Sequence, residues 1–117
     1  MTTTTTIEAA RPIATLINVF VVEPDRQAEL VALLSSTAEK FMRDQPGFIS
    51  ANIHASRDGE RVVNYAQWES EEHFQAMLAD PAAREQMRHA AEVALSFDPR
   101  LFTVESTHRT AEPTHQA

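Results

Sequence analysis

Two asparagines and one tryptophan are the residues whose types and spacing could do chemistry in this sequence. Asn18 lies in an almost continuously apolar segment, and Asn64 lies four residues before Trp68 in a second apolar segment. A buried amide without a hydrogen-bond partner costs about 1–3 kcal/mol, so a polar side chain at such a position needs a partner. An amide does not titrate near neutral pH and cannot be a base, but its NH₂ group can donate to a developing oxyanion.

These three residues have a functional and a structural interpretation. If the second segment is a strand, its two-residue period places Asn64 and Trp68 on one face about 13 Å apart at ~3.3 Å per residue, which can bracket a flat polycyclic ligand. The structural alternative is that each asparagine bonds to a nearby backbone group and that Trp68 is a core residue with a bonded N–H. The combination of two amides and an indole on one inferred face favours the functional interpretation.

Most other catalytic and cofactor-binding patterns are missing from the sequence. The two glycines, Gly47 and Gly59, are too few for a P-loop or a dinucleotide fingerprint. The absence of cysteine excludes disulfides, thiolate metal ligation and a cysteine nucleophile. The five histidines form no pair at metal-ligand spacing, and no nucleophile elbow is present. We therefore expect no metal site and no cofactor.

Composition limits the size, location and partners of the protein. With 117 residues and 43% hydrophobic residues, we expect one compact domain. A net charge of −7 predicts no nucleic-acid or anionic-lipid partner, and no segment has the length of a membrane span. The N-terminus lacks a basic region followed by an apolar region, so we expect a cytoplasmic protein.

Hydrophobic periodicity predicts the elements that must position these side chains. Residues 13–23 are apolar and β-branched, which is typical of a strand covered on both faces. Residues 24–45 carry apolar side chains every three or four positions, which predicts an amphipathic helix of about six turns. Residues 48–56 and 61–68 predict two strands of a hairpin, because the Asp58-Gly59 pair between them tolerates positive φ.

Two short helices and a last strand complete the predicted order of elements. Ser70 predicts the cap of a short helix, Asp80 and Pro81 the start of another, and residues 101–107 a last strand after Pro99. The order β-α-β-β-α-α-β predicts an α+β fold of the ferredoxin-like, split βαβ type with an antiparallel sheet. In that fold the first and third strands are neighbours, so the two asparagines can line one cavity.

The first strand also predicts how the domain is organised and assembled. Its two sets of alternate residues are both largely apolar, whereas the helices can cover only one face of the sheet. We therefore predict a homodimer packed sheet against sheet. Polar, low-complexity ends predict flexible extensions at residues 1–11 and 108–117, which leaves a domain at residues 12–107.

The segment from Asn64 to Phe74 resembles the antibiotic biosynthesis monooxygenase (ABM) family, as do the proline-started first helix and the Pro46-Gly47-Phe48 entry to the second strand. The resemblance covers roughly residues 12–107. It implies a dimeric α+β barrel in which each subunit has a pocket between its sheet and its helices. Within the family, the sequence is most similar to cofactor-free oxygenases that convert anthrones to anthraquinones in aromatic polyketide pathways, with O₂ as co-substrate.

The resemblance also implies that Asn18, Asn64 and Trp68 are the catalytic residues. For anthrone oxidation we expect Asn64 to stabilise the substrate anion, Asn18 to orient the substrate or assist Asn64, and the Trp68 N–H to donate to superoxide or to the peroxide. An arginine of the last helix falls at or near Arg88. One departure is Phe74, because certain members have a tyrosine proposed as proton donor there, so the mechanism must work without a phenol. The apolar residues of the helices are by default core residues, but in a fold with an enclosed cavity they line that cavity. The expected substrate-binding residues are Phe41, Phe74, Met77, Met87 and Arg88.

Two other function classes remain open. The haem-degrading branch of the same fold shares the first-strand asparagine, but its axial histidine would fall at Met87 and its helix tryptophan at Met77. His89 would point about 200° around the helix from Met87 at ~100° per residue, which makes it a poor substitute. The other class is a dimeric small-molecule binding or isomerase module that does not use O₂.

Overall fold

The computed structural model describes residues 3–111, and the predictions for residues 1, 2 and 112–117 lie outside the described part. The predicted order of strands and helices is confirmed. The elements are β1 (Ala14–Val21), α1 (Gln27–Lys40), β2 (Phe48–Ala55), β3 (Arg61–Trp68), α2 (Glu71–Ala79), α3 (Pro81–Val93) and β4 (Ser96–Phe102).

The four strands form one antiparallel sheet in the order β2-β3-β1-β4, which is the ferredoxin-like arrangement. Strand β1 pairs with both β3 and β4, so it occupies an interior position with the expected neighbour. In this register Asn18 lies opposite Asn64 on β3 and opposite Pro99 on β4. Side chains directly opposite on one face have Cβ atoms about 4.5–5.5 Å apart, so the two asparagines are neighbours.

The helices pack on the face of the sheet to which these asparagines belong. One buried cluster surrounds Trp68, Phe74 and Met77, and a second is built around Leu30 and Val62. Burial of these large apolar side chains stabilises the fold by about 1.5–3 kcal/mol each. The two clusters hold the helices at both ends of the sheet.

Helices α2 and α3 begin where their caps were predicted. The Ser70 Oγ accepts a hydrogen bond of 3.1 Å from the His73 backbone N–H. The Asp80 Oδ1 accepts a bond of 3.0 Å from the Ala82 N–H, and Pro81 occupies the first helical position. Each cap satisfies an N–H group that the helix itself leaves unpaired.

The prediction of one continuous helix over residues 24–45 is wrong. A 3₁₀ turn at Pro24–Arg26 precedes α1, and a second 3₁₀ turn at Met42–Asp44 follows it. The helix ends at Phe41, whose φ of −123° is outside the helical range. The chain tightens to 3₁₀ bonding here because Pro46, close behind, cannot continue a helix.

The prediction of a last strand over residues 101–107 is also wrong in its bounds. Strand β4 spans Ser96–Phe102, so Pro99 lies inside the strand and does not precede it. β4 is an edge strand that pairs with β1 alone, and an edge position tolerates a proline because its missing N–H need not join the ladder.

The opposite face of the sheet carries no helix among the described elements. Near one end of this face, the Thr5 hydroxyl donates to Asn52 Oδ1 (2.6 Å), and the Gln67 amide donates to the Thr6 carbonyl (2.9 Å). The rest of the face includes apolar side chains of β1 such as Val19, which is half-buried. Within residues 3–111, none of the helices has the length and apolar character that a membrane span requires.

Candidate functional site

A cavity of about 650 Å³ lies between the sheet and the three helices. This volume is within the range of about 300–1,000 Å³ that is usual for small-molecule sites. Its wall is mainly apolar and aromatic, with contributions from all four strands and all three helices. Representative apolar residues of the wall are Leu16, Phe20, Phe48, Leu78, Phe97 and Leu101.

The two asparagines lie side by side in this wall, as the period of two and the strand order predicted. The Asn64 Oδ1 is buried and has no hydrogen-bond partner within residues 3–111. Its amide nitrogen also makes no hydrogen bond to the described residues. Since an unpaired buried polar atom costs about 1–3 kcal/mol, the Asn64 Oδ1 is a group that a molecule in the cavity, water or ligand, can satisfy.

Asn18 differs from Asn64 because its amide oxygen already has a hydrogen-bond partner in the protein. Its Oδ1 accepts a hydrogen bond of 3.1 Å from the Asp98 backbone N–H and so ties β1 to the edge strand. The Asn18 amide nitrogen makes no hydrogen bond in the described part of the chain, so it is a free donor in the cavity wall. Asn18 therefore combines a structural contact with a free N–H group.

Trp68 closes one end of the cavity and is only 2% exposed. Its ring packs edge-on against Phe48 at 5.4 Å and against Phe74 at 6.1 Å between centroids. These edge-to-face contacts hold the indole in one orientation. The indole N–H has no hydrogen-bond partner among residues 3–111, which leaves it available to a bound molecule.

Four of the five predicted substrate-binding residues line the cavity: Phe74, Met77, Met87 and Arg88. Phe41 is not among the lining residues in the described structure; it packs against the buried cluster that contains Trp68. The reason is the end of α1 at this residue, which takes Phe41 off the helical face that the spacing predicted.

Arg88 lines the cavity, but its charge is shared with two acids on its own helix. Its guanidinium bonds to Glu85 at 2.7 Å and also to Glu92. The hydrogen bond to Glu85, together with the charges of both carboxylates, raises the pKa of Arg88 above its ordinary value. The same hydrogen bond lowers the pKa of the Glu85 carboxyl. Arg88 is thus paired with two carboxylates of its own helix.

Several polar lining residues were missed by the sequence analysis. Arg84 lies one turn before Arg88 on α3, and the i, i+4 spacing of the two arginines was the signal that could have found it. Arg100 was missed because β4 was placed too late in the chain. Thr37, Gln75 and Gln86 line the cavity as well, and nothing in their local sequence distinguishes them from surface residues.

The cavity wall has no histidine, cysteine or acidic residue among the described positions. Met87 occupies the place where a haem ligand would be expected, and His89 is an exposed residue whose Nε2 lies 3.6 Å from Glu85. No cluster of three or more metal-ligating side chains exists within residues 3–111. The wall therefore offers hydrogen-bond donors and apolar surface, and it lacks the usual ligands for a metal.

Comparison with known proteins agrees with the fold and identifies the family. The model of the antibiotic biosynthesis monooxygenase family matches residues 13–89. Tetracenomycin-F1 monooxygenase from Streptomyces glaucescens is 45% identical over 103 residues, which cover 88% of this chain and 89% of that protein.

Two solved structures are similar over most of the chain. The monooxygenase from the gene ActVA-Orf6 of Streptomyces coelicolor, in complex with the ligand Nanaomycin D, has a TM-score of 0.78 and 32% identity, covering 86% of this chain and 95% of that chain. SnoaB, a cofactor-independent oxygenase from Streptomyces nogalater, has a TM-score of 0.70 and 28% identity, covering 82% of this chain and 96% of that chain. The family predicted from the segment between Asn64 and Phe74 is thus confirmed: this chain is a monooxygenase that belongs to the antibiotic biosynthesis monooxygenase family.

Proposed function

We propose that this protein oxidises an anthrone-type aromatic polyketide to the corresponding anthraquinone with O₂ and without a cofactor. The observation that carries the proposal is the amide of Asn64 in the wall of an apolar cavity, whose buried Oδ1 has no partner among residues 3–111. An amide donor in a water-poor site is suited to stabilising an oxyanion and cannot itself carry electrons. The similarity to SnoaB, described as a cofactor-independent oxygenase, supports the same chemistry.

The substrate can supply the electrons itself. The central CH₂ of an anthrone lies between two aryl rings and across the ring from the carbonyl, so loss of one proton gives an electron-rich aromatic enolate. This enolate can pass one electron to O₂, and the resulting radical and superoxide combine to a peroxide at the same carbon. Loss of water from the peroxide gives the quinone, so one anthrone and one O₂ become one anthraquinone and one water. The protein has to position the reactants and stabilise charge.

The roles of the wall residues follow from their free hydrogen-bonding groups. Asn64 donates from its amide to the enolate oxygen, and rotation of the amide about its last bond exchanges the oxygen and nitrogen positions without changing its shape. The free N–H of Asn18 lies beside it and orients the same oxygen. The Trp68 N–H donates to superoxide or to the peroxide at the other end of the face. Phe74, Met77 and Met87 contact the ring system and exclude water.

The proposal is tested with the purified full chain after treatment with a metal chelator. Incubation with anthrone in air should consume one O₂ per anthrone and give anthraquinone faster than the enzyme-free autoxidation measured in parallel. A strict requirement for added flavin, haem or nicotinamide would contradict the proposal. A shift of the Soret band on titration with haemin would favour the haem alternative. Met87 argues against that alternative, because it stands where the axial histidine would fall. Binding of anthrone without O₂ uptake would favour the binding or isomerase alternative.

We also propose that the protein acts as a homodimer packed through the open face of the sheet. The support is physical: the helices cover one face, and the opposite face of β1 still carries Ile17, Val19 and Val21, which are half-buried in the single chain. Apolar surface of this kind gains free energy from burial against a second copy.

A charge placed in the middle of this face tests the dimer. Val19→Lys should convert the protein to a monomer, as measured by sedimentation velocity, because an unpaired ammonium cannot be buried at low cost. Ala76→Lys, on the exposed side of α2, is the matched control and should leave the oligomeric state unchanged. A monomeric wild-type protein, or a dimeric Val19→Lys variant, contradicts the interface.

A further inference from the structure

The charged residues of the cavity wall are all of one sign. Arg84, Arg88 and Arg100 line the cavity, and no acidic residue or lysine lines it among the described positions. The chain as a whole carries a net charge of −7. A site lined only by cations in an acidic protein favours an anionic ligand, because the general field of the protein would otherwise repel it.

Two of these three arginines already have carboxylate partners. Arg88 bonds to Glu85 and Glu92. The Arg100 Nε lies 3.0 Å and 3.1 Å from the two carboxylate oxygens of Asp98. In both cases the positive charge is largely compensated within the protein.

Arg84 is the exception. Within residues 3–111 it has no ion pair, and its guanidinium makes one long hydrogen bond of 3.4 Å, from Nη2 to the Ala79 carbonyl at the end of α2. The residue is exposed and also lines the cavity, which is the combination expected of a side chain at the cavity mouth. A guanidinium can bind a carboxylate through two parallel N–H donors.

We propose that Arg84 is a specificity residue that binds a carboxylate on the polycyclic substrate and selects acid-bearing substrates over neutral ones. This inference rests on the proposed function for the ring system, and it adds the end group and the residue that recognises it. Arg84 anchors the edge of the substrate at the rim of the cavity, while the amides of Asn18 and Asn64 contact the reacting ring inside. Arg88, whose charge is already paired, contributes less to this selection.

The experiment measures binding of two probes of nearly equal shape, the anionic anthraquinone-2-carboxylate and the neutral anthraquinone-2-carboxamide. Trp68, the single tryptophan of the chain, lies in the cavity wall, so quenching of its fluorescence reports binding without turnover. The wild-type protein should bind the carboxylate about tenfold more tightly, as expected for one charge-assisted pair at a partly exposed site. Arg84→Gln should remove this preference and leave carboxamide affinity unchanged, and Arg84→Lys should keep part of it.

Two control variants separate this role from general effects of charge and helix structure. Arg57→Gln removes a positive charge from the exposed hairpin turn, outside the cavity, and should keep the full preference. Arg88→Gln should keep most of the preference for the carboxylate probe. The assignment to Arg84 is overturned if wild type shows no preference, if Arg84→Gln retains it, if Arg84→Gln weakens both probes equally, or if Arg88→Gln alone removes it.

Failure of the proposed function gives a different result. If neither probe binds, the cavity does not take tricyclic rings, and both proposals are refuted. If anthrone is oxidised but the wild type binds both probes equally, the oxidation stands and the role of Arg84 fails. If the preference depends on Arg84 but no O₂ is consumed, the specificity residue stands and the oxygenase proposal fails.

Discussion

Replacing Asn64 by leucine should make the protein more stable and far less active. Leucine has the same branching as asparagine at the γ carbon, so it fills the same space and leaves no large void. It removes an Oδ1 atom that is buried without a partner in the described part of the chain, and such an atom costs about 1–3 kcal/mol. Because the whole side chain is only half-buried, we expect the free energy of unfolding to rise by about 1 kcal/mol, near the lower end of that range. This corresponds to an increase in Tm of roughly 4 °C for a domain of this size.

The effect on activity should have the opposite sign. If Asn64 donates to the enolate oxygen, Asn64→Leu removes one oxyanion donor, which typically lowers kcat by roughly a hundredfold to a thousandfold. The assay combines O₂ uptake with anthrone for activity and urea denaturation for stability. Substrate binding, followed by Trp68 fluorescence, should change much less than kcat, because the donor acts on charge that develops during the reaction.

Asn52 provides a matched control in the same sheet. Its amide nitrogen donates to the Tyr65 carbonyl (2.9 Å) and to Ser50 Oγ (3.2 Å), and its Oδ1 accepts from Thr5. Asn52→Leu should therefore lower stability by about 1–3 kcal/mol and leave kcat unchanged. The reasoning is refuted if Asn64→Leu loses as much stability as Asn52→Leu, or if it retains wild-type turnover.

Three further variants test the structure at other points. Gly47→Ala should lower the Tm strongly, because its φ is +81° and an added Cβ would lie 2.2 Å from the His73 ring. Gly59→Ala should lower the Tm less, because the nearest atom to its added Cβ lies at 3.3 Å. Equal losses of Tm would contradict this reasoning. Asn18→Ala should lower both kcat and the free energy of unfolding, the latter by about 1 kcal/mol, because it removes the bond to the edge strand as well as the free donor. Backbone and hydroxyl hydrogen bonds in the hairpin turn lower the pKa of Asp58. The stability that the ionised Asp58 contributes is therefore present at neutral pH and is lost as the pH falls through the lowered pKa. The Tm difference between wild type and Asp58→Asn should narrow below about pH 4. A Tm difference that stays constant with pH would contradict this.

Much of the fold could be predicted from the sequence because its signals are local. The caps at Ser70 and Asp80 and the turn at Gly59 depend on hydrogen bonds and φ angles within a few residues. The bounds of the last strand, in contrast, depend on a contact between residues distant in sequence. Pro99 lies inside a strand because that strand is at the edge of the sheet, a position that its own residues do not specify.

Which strand residues share a face follows from the sequence alone. A period of two placed Asn64 and Trp68 together, and the order of elements made Asn18 a neighbour of Asn64. Which polar groups remain free depends on contacts that form only in the folded chain. Arg88 and Asn18 have protein partners, whereas within residues 3–111 Arg84 has no carboxylate partner and the Asn64 Oδ1 has no donor. The physical reason is that a hydrogen bond or ion pair forms only within a few ångströms, and residues distant in sequence reach that separation only in the folded chain.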